Sequence, residues 1–394
     1  MGSPEADELS RNPRKEFLWR GSWRSTYLNL STSHLPRVDC SFLFSDGLHR
    51  PFLCSQISLD PFTKGIPPHN QIPRLGDLTL AEFNTSWTNR PFILTDPVKL
   101  WLVYQEWNEE VLLSKYKDVI FRAEAVDWPL KAYFEYMNNN IDESPLYLFD
   151  RDFVNRMGLV VSDGDGENEA YCPPDCFVED LFTLFGDERP DYRWLIIGPE
   201  RSGSTFHKDP NATSAWNAVI RGSKYWIMFP SSASLPPPPG VFVSDDQSEV
   251  TTPLSIAEWL LTFHGQARNS PGCLEGVCYE GEVLHVPSCW WHLVVNLETT
   301  IAITQNFVPK AHLSSAINFL KNKSNQVSGF RSDVQDPYSL FMERLDKRFP
   351  ELLKKQEKMS NKRKWEKVVY FNDEDGSRDG IFSFGFKDDI DDEV

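Results

Sequence analysis

Residues 203–229 read GSTFHKDPNATSAWNAVIRGSKYWIMF, and the fold turns on how this stretch is divided. It holds three short strand-like runs, 204–209, 214–220 and 224–229, with Pro, Asn, Gly and Ser between them. Those are the residues that turns require. Working outward, the same texture recurs at 193–198, 282–286, 291–297 and 299–306. Many short strands at this spacing predict an antiparallel barrel or sandwich.

His207 and Asp209 lie two apart in the first run, so both point to one face of a strand. His292 stands at the start of another strand and can supply a third ligand from a neighbour. Two imidazoles and one carboxylate form a facial triad that leaves three metal positions open. That set suits non-haem Fe(II), which must bind both a cosubstrate and oxygen. The competing reading is a pair of surface polar residues and a core histidine. About one His-x-acid pair is expected by chance in a chain with 8 His.

Lys224 shares a face with Trp226 and Met228. A lysine on the inner face of a small barrel is costly unless it meets an anion, although it can also snorkel from a strand end. Thr304 lies on a small polar face with Thr300, Ala302 and Asn306, while Ile301 and Ile303 take the other side. Asn217 likewise interrupts Ala215 and Val219. One cation and several neutral hydrogen-bonding groups beside a metal suit a dicarboxylate.

Around this region the pattern is helical and irregular. Residues 80–87, 98–115, 129–138 and 177–185 carry helix-like spacing, and 91–95 and 144–150 read as strands. Residues 1–75 form an irregular N-terminal extension, and 158–172 an exposed loop. The gap 231–280 reads as an insertion with a Pro run and an amphipathic helix near 254–264. Residues 309–372 are helical, at 312–321 and 338–358, and offer a homodimer surface. The chain has 394 residues, with 40 Lys+Arg against 57 Asp+Glu, a formal charge of −17. Nine acids and two bases put −7 of that in 373–394, which reads as a flexible tail and leaves −10 elsewhere. An acidic chain lacks the positive charge that nucleic-acid binding needs, and favours a basic partner. No run approaches the length of a membrane helix, and the polar, acidic start does not read as a signal peptide. A nuclear or cytoplasmic location follows as the expectation; Lys354-Lys355 followed by Lys362-Arg363-Lys364 is a candidate nuclear address, with a solvated helix face the stronger reading.

Several blocks in order then resemble the Jumonji-C oxygenases: Tyr192 to Trp194, Gly198 to Pro210, Thr213 to Ala218, Gly222 to Trp226, Val286 to His292 and Asn296 to Phe307. The branch most similar is that of the bifunctional arginine demethylases and lysyl-hydroxylases, and Ser144 to Asp150 fits it too. The resemblance spans roughly 80–308. Trp19 to Tyr27 resembles the segment before the catalytic domain in fungal and plant F-box/Jumonji proteins. The resemblance implies a mainly β fold with α elaborations, a double-stranded β-helix or cupin-like jelly roll with N- and C-terminal helices. Its catalytic domain would cover 76–308, with the core barrel at 192–308. It implies Fe(II) on His207, Asp209 and His292, with 2-oxoglutarate and O2 as cosubstrates. Lys224 and Thr304 would meet the distal carboxylate, with Asn217 and Tyr147 as further contacts. The implied activity is hydroxylation of a protein side chain, as lysyl hydroxylation or as demethylation of methyl-arginine or methyl-lysine. A non-catalytic adaptor and an RNA-modifying hydroxylase are the alternatives; the intact triad opposes the first and the charge the second. Where the branch often has glycine, this chain has Ser288-Cys289, which puts a thiol near the metal.

Overall fold

The computed structural model describes residues 56–161, 169–232, 235–244 and 248–354. The expectations for residues before 56, for the basic run 362–364 and for the tail 373–394 lie outside the described residues. Contact density divides the chain into one unit through Tyr338 and another from Ser339 onward.

Fifteen strands occur among the described residues. The first five are β1 (Arg74–Leu75), β2 (Phe92–Leu94), β3 (Ile120–Ala123), β4 (Val126–Pro129) and β5 (Leu148–Asp150). The stretch that opens the sequence reading supplies β7 (Gly203–His207), β8 (Ser214–Arg221) and β9 (Ser223–Phe229), preceded by β6 (Arg193–Gly198). Then come β10 (Phe242–Val243), β11 (Val250–Thr251), β12 (Leu274–Tyr279), β13 (Val283–Val286), β14 (Trp291–Asn296) and β15 (Thr300–Phe307). One sheet has nine strands in the order β1-β2-β13-β8-β15-β6-β5-β3-β4, and a second has four, β12-β9-β14-β7. Apart from the parallel β1–β2 pair, the pairings within both are antiparallel. The cupin-like jelly roll, mainly β with helices added, is therefore the fold.

Alternation along the strands explains how the sheets stack. Ala215, Val219, Leu284 and Val286 of the large sheet pack with Trp226, Met228 and Val294 of the small one. The opposite faces are covered by helices. Ile301, Ile303 and Trp216 point outward into a cluster with Tyr133 and Phe134 of a helix at Leu130–Asn139. Tyr225, Ile227 and Leu293 point into another with Trp259 and Leu260 of a helix at Ile256–Arg268. The polar faces of β8, β9 and β15 are thus turned toward the space between the sheets.

Local structure departs from the sequence reading in several places, among them the loop expected to be exposed over 158–172, where Ala170 and Tyr171 are buried. The helix expected over 98–115 is three pieces: a 3-10 turn at Pro97–Leu100, a helix at Leu102–Glu106 and another at Glu109–Tyr116. Asn108 starts the last by accepting a hydrogen bond from the Val111 amide, which ends the piece before it. The helix expected at 177–185 is a pair of 3-10 segments, Asp175–Phe177 and Leu181–Glu188. Residues 274–279, read as the end of an insertion, are β12 and extend the four-stranded sheet. For the helix expected over 338–358 the structure has Pro337–Arg348, which stops short of the expected end, with Lys347 and Arg348 in its last turn.

Candidate functional site

His207 ends β7 and His292 is the second residue of β14, and the two residues are directly paired across the strands. Their rings lie 4.1 Å apart at the centroids. The pairing slips between His292 and Val294, so Val294 faces Ser204. Gly203 permits that close approach: a Cβ there would strike the Val294 carbonyl. The strand read at 204–209 stops at His207, and Asp209 follows in an extended conformation before a 3-10 turn at Pro210–Ala212. The ligand atoms of His207, Asp209 and His292 all lie within 4.8 Å of one another.

The surroundings of the three groups suit a cation. The Nδ1–H of His207 donates to the Thr205 carbonyl at 2.8 Å, and that of His292 to the Trp290 carbonyl at 3.2 Å. Each bond fixes the tautomer and leaves Nε2 with a free lone pair. Burial lowers both imidazoles to about 4, with His292 further depressing His207, so both are neutral at pH 7. Burial also raises Asp209 to about 6, against the pull of His207 and a hydrogen bond from Asn306. Its Oδ2 is buried with no hydrogen-bond partner. A buried carboxylate oxygen left this way is stabilised by a cation and by little else.

Beside the triad a cavity of about 270 Å3 runs between the two sheets. Lys224 lies at its wall with no exposed surface, and its Nζ donates to the Tyr147 hydroxyl at 2.8 Å. Burial brings this ammonium down to about 7, and no carboxylate pairs with it among the described residues. Gly198 makes room for Tyr147, since a Cβ there would come within 2.6 Å of its ring. Asn217 and Thr304 sit opposite one another on β8 and β15 and line the same cavity. Asn217 Oδ1 and Trp226 Nε1 are buried without partners. The Thr304 hydroxyl donates to the Trp216 carbonyl at 2.8 Å, so its one proton is already engaged. All seven residues singled out in the sequence therefore line one cavity. Trp194, Trp226 and Ser204 line it too and were not singled out: alternation with Ile196 and Lys224 carried the signal for the two tryptophans, whereas Ser204 lies two before Phe206, which packs in the outer cluster, so alternation gave none. Cys289 lines an adjoining cavity with His207 and Asp209, and its backbone is left-handed at φ +63°.

The profile of the family described as a cupin-like domain matches residues 81–313. The Arginine-specific demethylase JMJ22 of Arabidopsis thaliana is 36% identical over 386 residues, covering 94% of this chain and 74% of that protein. The chain belongs to the cupin-like Jumonji-C family. Two other relatives of this Jumonji-C protein are less fully covered. The Bifunctional arginine demethylase and lysyl-hydroxylase psr-1 of Caenorhabditis elegans is 34% identical, over 63% of this chain and 64% of its own length. The 2-oxoglutarate and iron-dependent oxygenase JMJD4 of Danio rerio is 31% identical, over 41% of this chain and 37% of its own. No helix among the described residues of the Jumonji-C chain is long and apolar enough to cross a membrane.

Proposed function

We propose that this protein is an Fe(II)- and 2-oxoglutarate-dependent oxygenase that hydroxylates a protein side chain, with His207, Asp209 and His292 holding the iron. The observation that carries the reading is the neutral, pre-oriented triad with an orphaned carboxylate oxygen, next to a cavity walled by a buried lysine. Once bound, iron and 2-oxoglutarate supply the oxidising chemistry: decarboxylation to succinate and CO2, coupled to insertion of one oxygen atom of O2 into a C–H bond.

The chain's own residues bind, orient and shield. Lys224 pairs with the distal carboxylate of 2-oxoglutarate, and Tyr147 steadies that ammonium. Asn217 and Trp226 face the cosubstrate with polar atoms that nothing else satisfies. Thr304 joins them only if its hydroxyl turns away from the Trp216 carbonyl. Ile196, Val286 and Val294 complete an apolar wall that keeps water from the metal face. A hydroxyl placed on a lysyl carbon persists, whereas one placed on an N-methyl carbon leaves with it as formaldehyde. Lysyl hydroxylation and demethylation therefore need the same site.

Anaerobic addition of Fe(II) and then 2-oxoglutarate should give a weak visible charge-transfer band. His207→Ala should abolish succinate formation while the far-UV circular dichroism is kept, and turnover in that variant would refute the ligand assignment. Mass spectrometry of lysine- and methyl-arginine-containing peptides, for gain of one oxygen or loss of one methyl, identifies the product. The same reading gives the enzyme a nuclear or cytoplasmic location and a basic protein substrate. It also allows a homodimer through the C-terminal helices, which light scattering measures directly.

A further inference from the structure

Three cavities meet at His207. One is the pocket between the sheets. A second, of about 370 Å3, has Glu124 and Glu143 on its walls together with Arg201. The third, of about 570 Å3, shares His207 and Asp209 with the first and is lined by Lys208, Lys323, Cys289 and Trp291, with Asn318 and Asn325 among its polar groups. Asp209 is the sole carboxylate among its described lining residues, and a bound dication would cancel that charge.

Lys208 is half-buried on this wall and makes no ion pair among the described residues. Its Nζ lies over the Trp291 ring, 4.4 Å from the centroid. Stacking of this kind holds an ammonium in place without neutralising it. A positioned cation next to a reaction centre, in a partly dehydrated cavity, favours an anion over water.

We propose that the Lys208–Trp291 wall receives a carboxylate of the substrate protein, so that an aspartate or glutamate flanks the residue that is oxygenated. This rests on the protein-oxygenase reading above and sharpens it. The substrate segment is of mixed charge, with its anionic neighbour on the lysine-lined side of the metal and its cationic part facing the Glu124 and Glu143 side.

The test uses the full chain loaded with Mn(II) and 2-oxoglutarate, so that binding is read without turnover. Fluorescent peptides with a central lysine carry glutamate, glutamine or lysine at each neighbouring position in turn, and anisotropy gives their affinities. At low salt one glutamate register should bind roughly tenfold more tightly than glutamine, and added salt should erode the difference. Lys208→Glu should invert the preference toward lysine at that register. Because Lys208 adjoins two of the proposed metal ligands, Lys323→Glu elsewhere in the cavity lining is the second arm and should shrink the glutamate advantage. Equal binding of glutamate and glutamine peptides by the wild type overturns the proposal, as does an advantage that survives both charge reversals. Lys208-dependent binding of a single-stranded RNA, with no acidic-peptide preference, overturns it in favour of a phosphate backbone. Succinate formation is measured in parallel. Its absence with the peptide preference intact sinks the oxygenase reading alone; its presence without the preference sinks this one alone.

Discussion

In the role proposed for it, Lys224 sets how the cosubstrate site responds to pH. Its folded value of about 7 lies far below that of an ordinary lysine, because burial disfavours the charged form. In the unliganded protein the burial penalty is therefore fully present below pH 7 and fades as pH rises toward the ordinary lysine range. A carboxylate beside Nζ draws the proton back, so 2-oxoglutarate binding above pH 7 takes up a proton and weakens as pH rises, approaching tenfold per unit. Calorimetry at pH 8 in two buffers of different ionisation enthalpy should report uptake of close to one proton. Lys224→Met should cost about 3 kcal/mol of 2-oxoglutarate affinity while leaving the unliganded fold no less stable, since an unpaired buried charge is removed. Cys289 offers a second test at this scale. Its left-handed backbone at φ +63° is one that glycine adopts freely. Cys289→Gly should stabilise the protein by about 1 kcal/mol, read as a higher denaturation midpoint.

At the scale of elements, the helix Ile256–Arg268 is locked to β12 through charge. Arg268 meets Glu275 at 2.7 Å, and Tyr225 also donates to that carboxylate. Burial alone would raise Glu275, but hydrogen bonds from His264, Arg268 and Tyr225 outweigh it and hold the group at about 2. Its contribution is present above the ordinary glutamate range and lost as pH falls from there toward 2, a window an acid titration of stability should show. Arg268→Ala strands the buried carboxylate and should cost about 3–5 kcal/mol by chemical denaturation. The same pairing explains what the sequence hid. β7, β8, β9, β14 and β15 were legible because their alternation is clean and their turns are marked. β12 was not, because Glu275 and Gly276 break its apolar pattern, and the carboxylate is tolerated through partners on other elements: Arg268 and His264 of the preceding helix and Tyr225 of β9. β3 and β4 were missed for a related reason: Arg122 and Asp127 pair with each other across an exposed edge. The triad was readable because two ligands sit two residues apart, whereas the fit of Tyr147 against Lys224 depends on contact across 77 positions.

For the whole molecule, the site joins two sheets. Lys224, His207 and His292 come from the small sheet, Asn217 and Thr304 from the large one. A ligand that binds only when the two are apposed stabilises the native state by mass action. Metal with 2-oxoglutarate at about a hundredfold over its dissociation constant should add about 2.7 kcal/mol, or roughly 3–5 °C in Tm for a chain of this size. His207→Ala should lose that increment in differential scanning fluorimetry. The facing of His207 and His292 across β7 and β14 has one more outcome. Side chains alternate along a strand, so a slip of a single residue in that pairing would turn His292 outward and bring an apolar neighbour in. The mispaired sheet could keep much of its hydrogen bonding, yet it would have no complete ligand set. With the triad as the proposed metal site, metal capture would proofread strand register, and a misfolded fraction should be separable from the native one by its metal content.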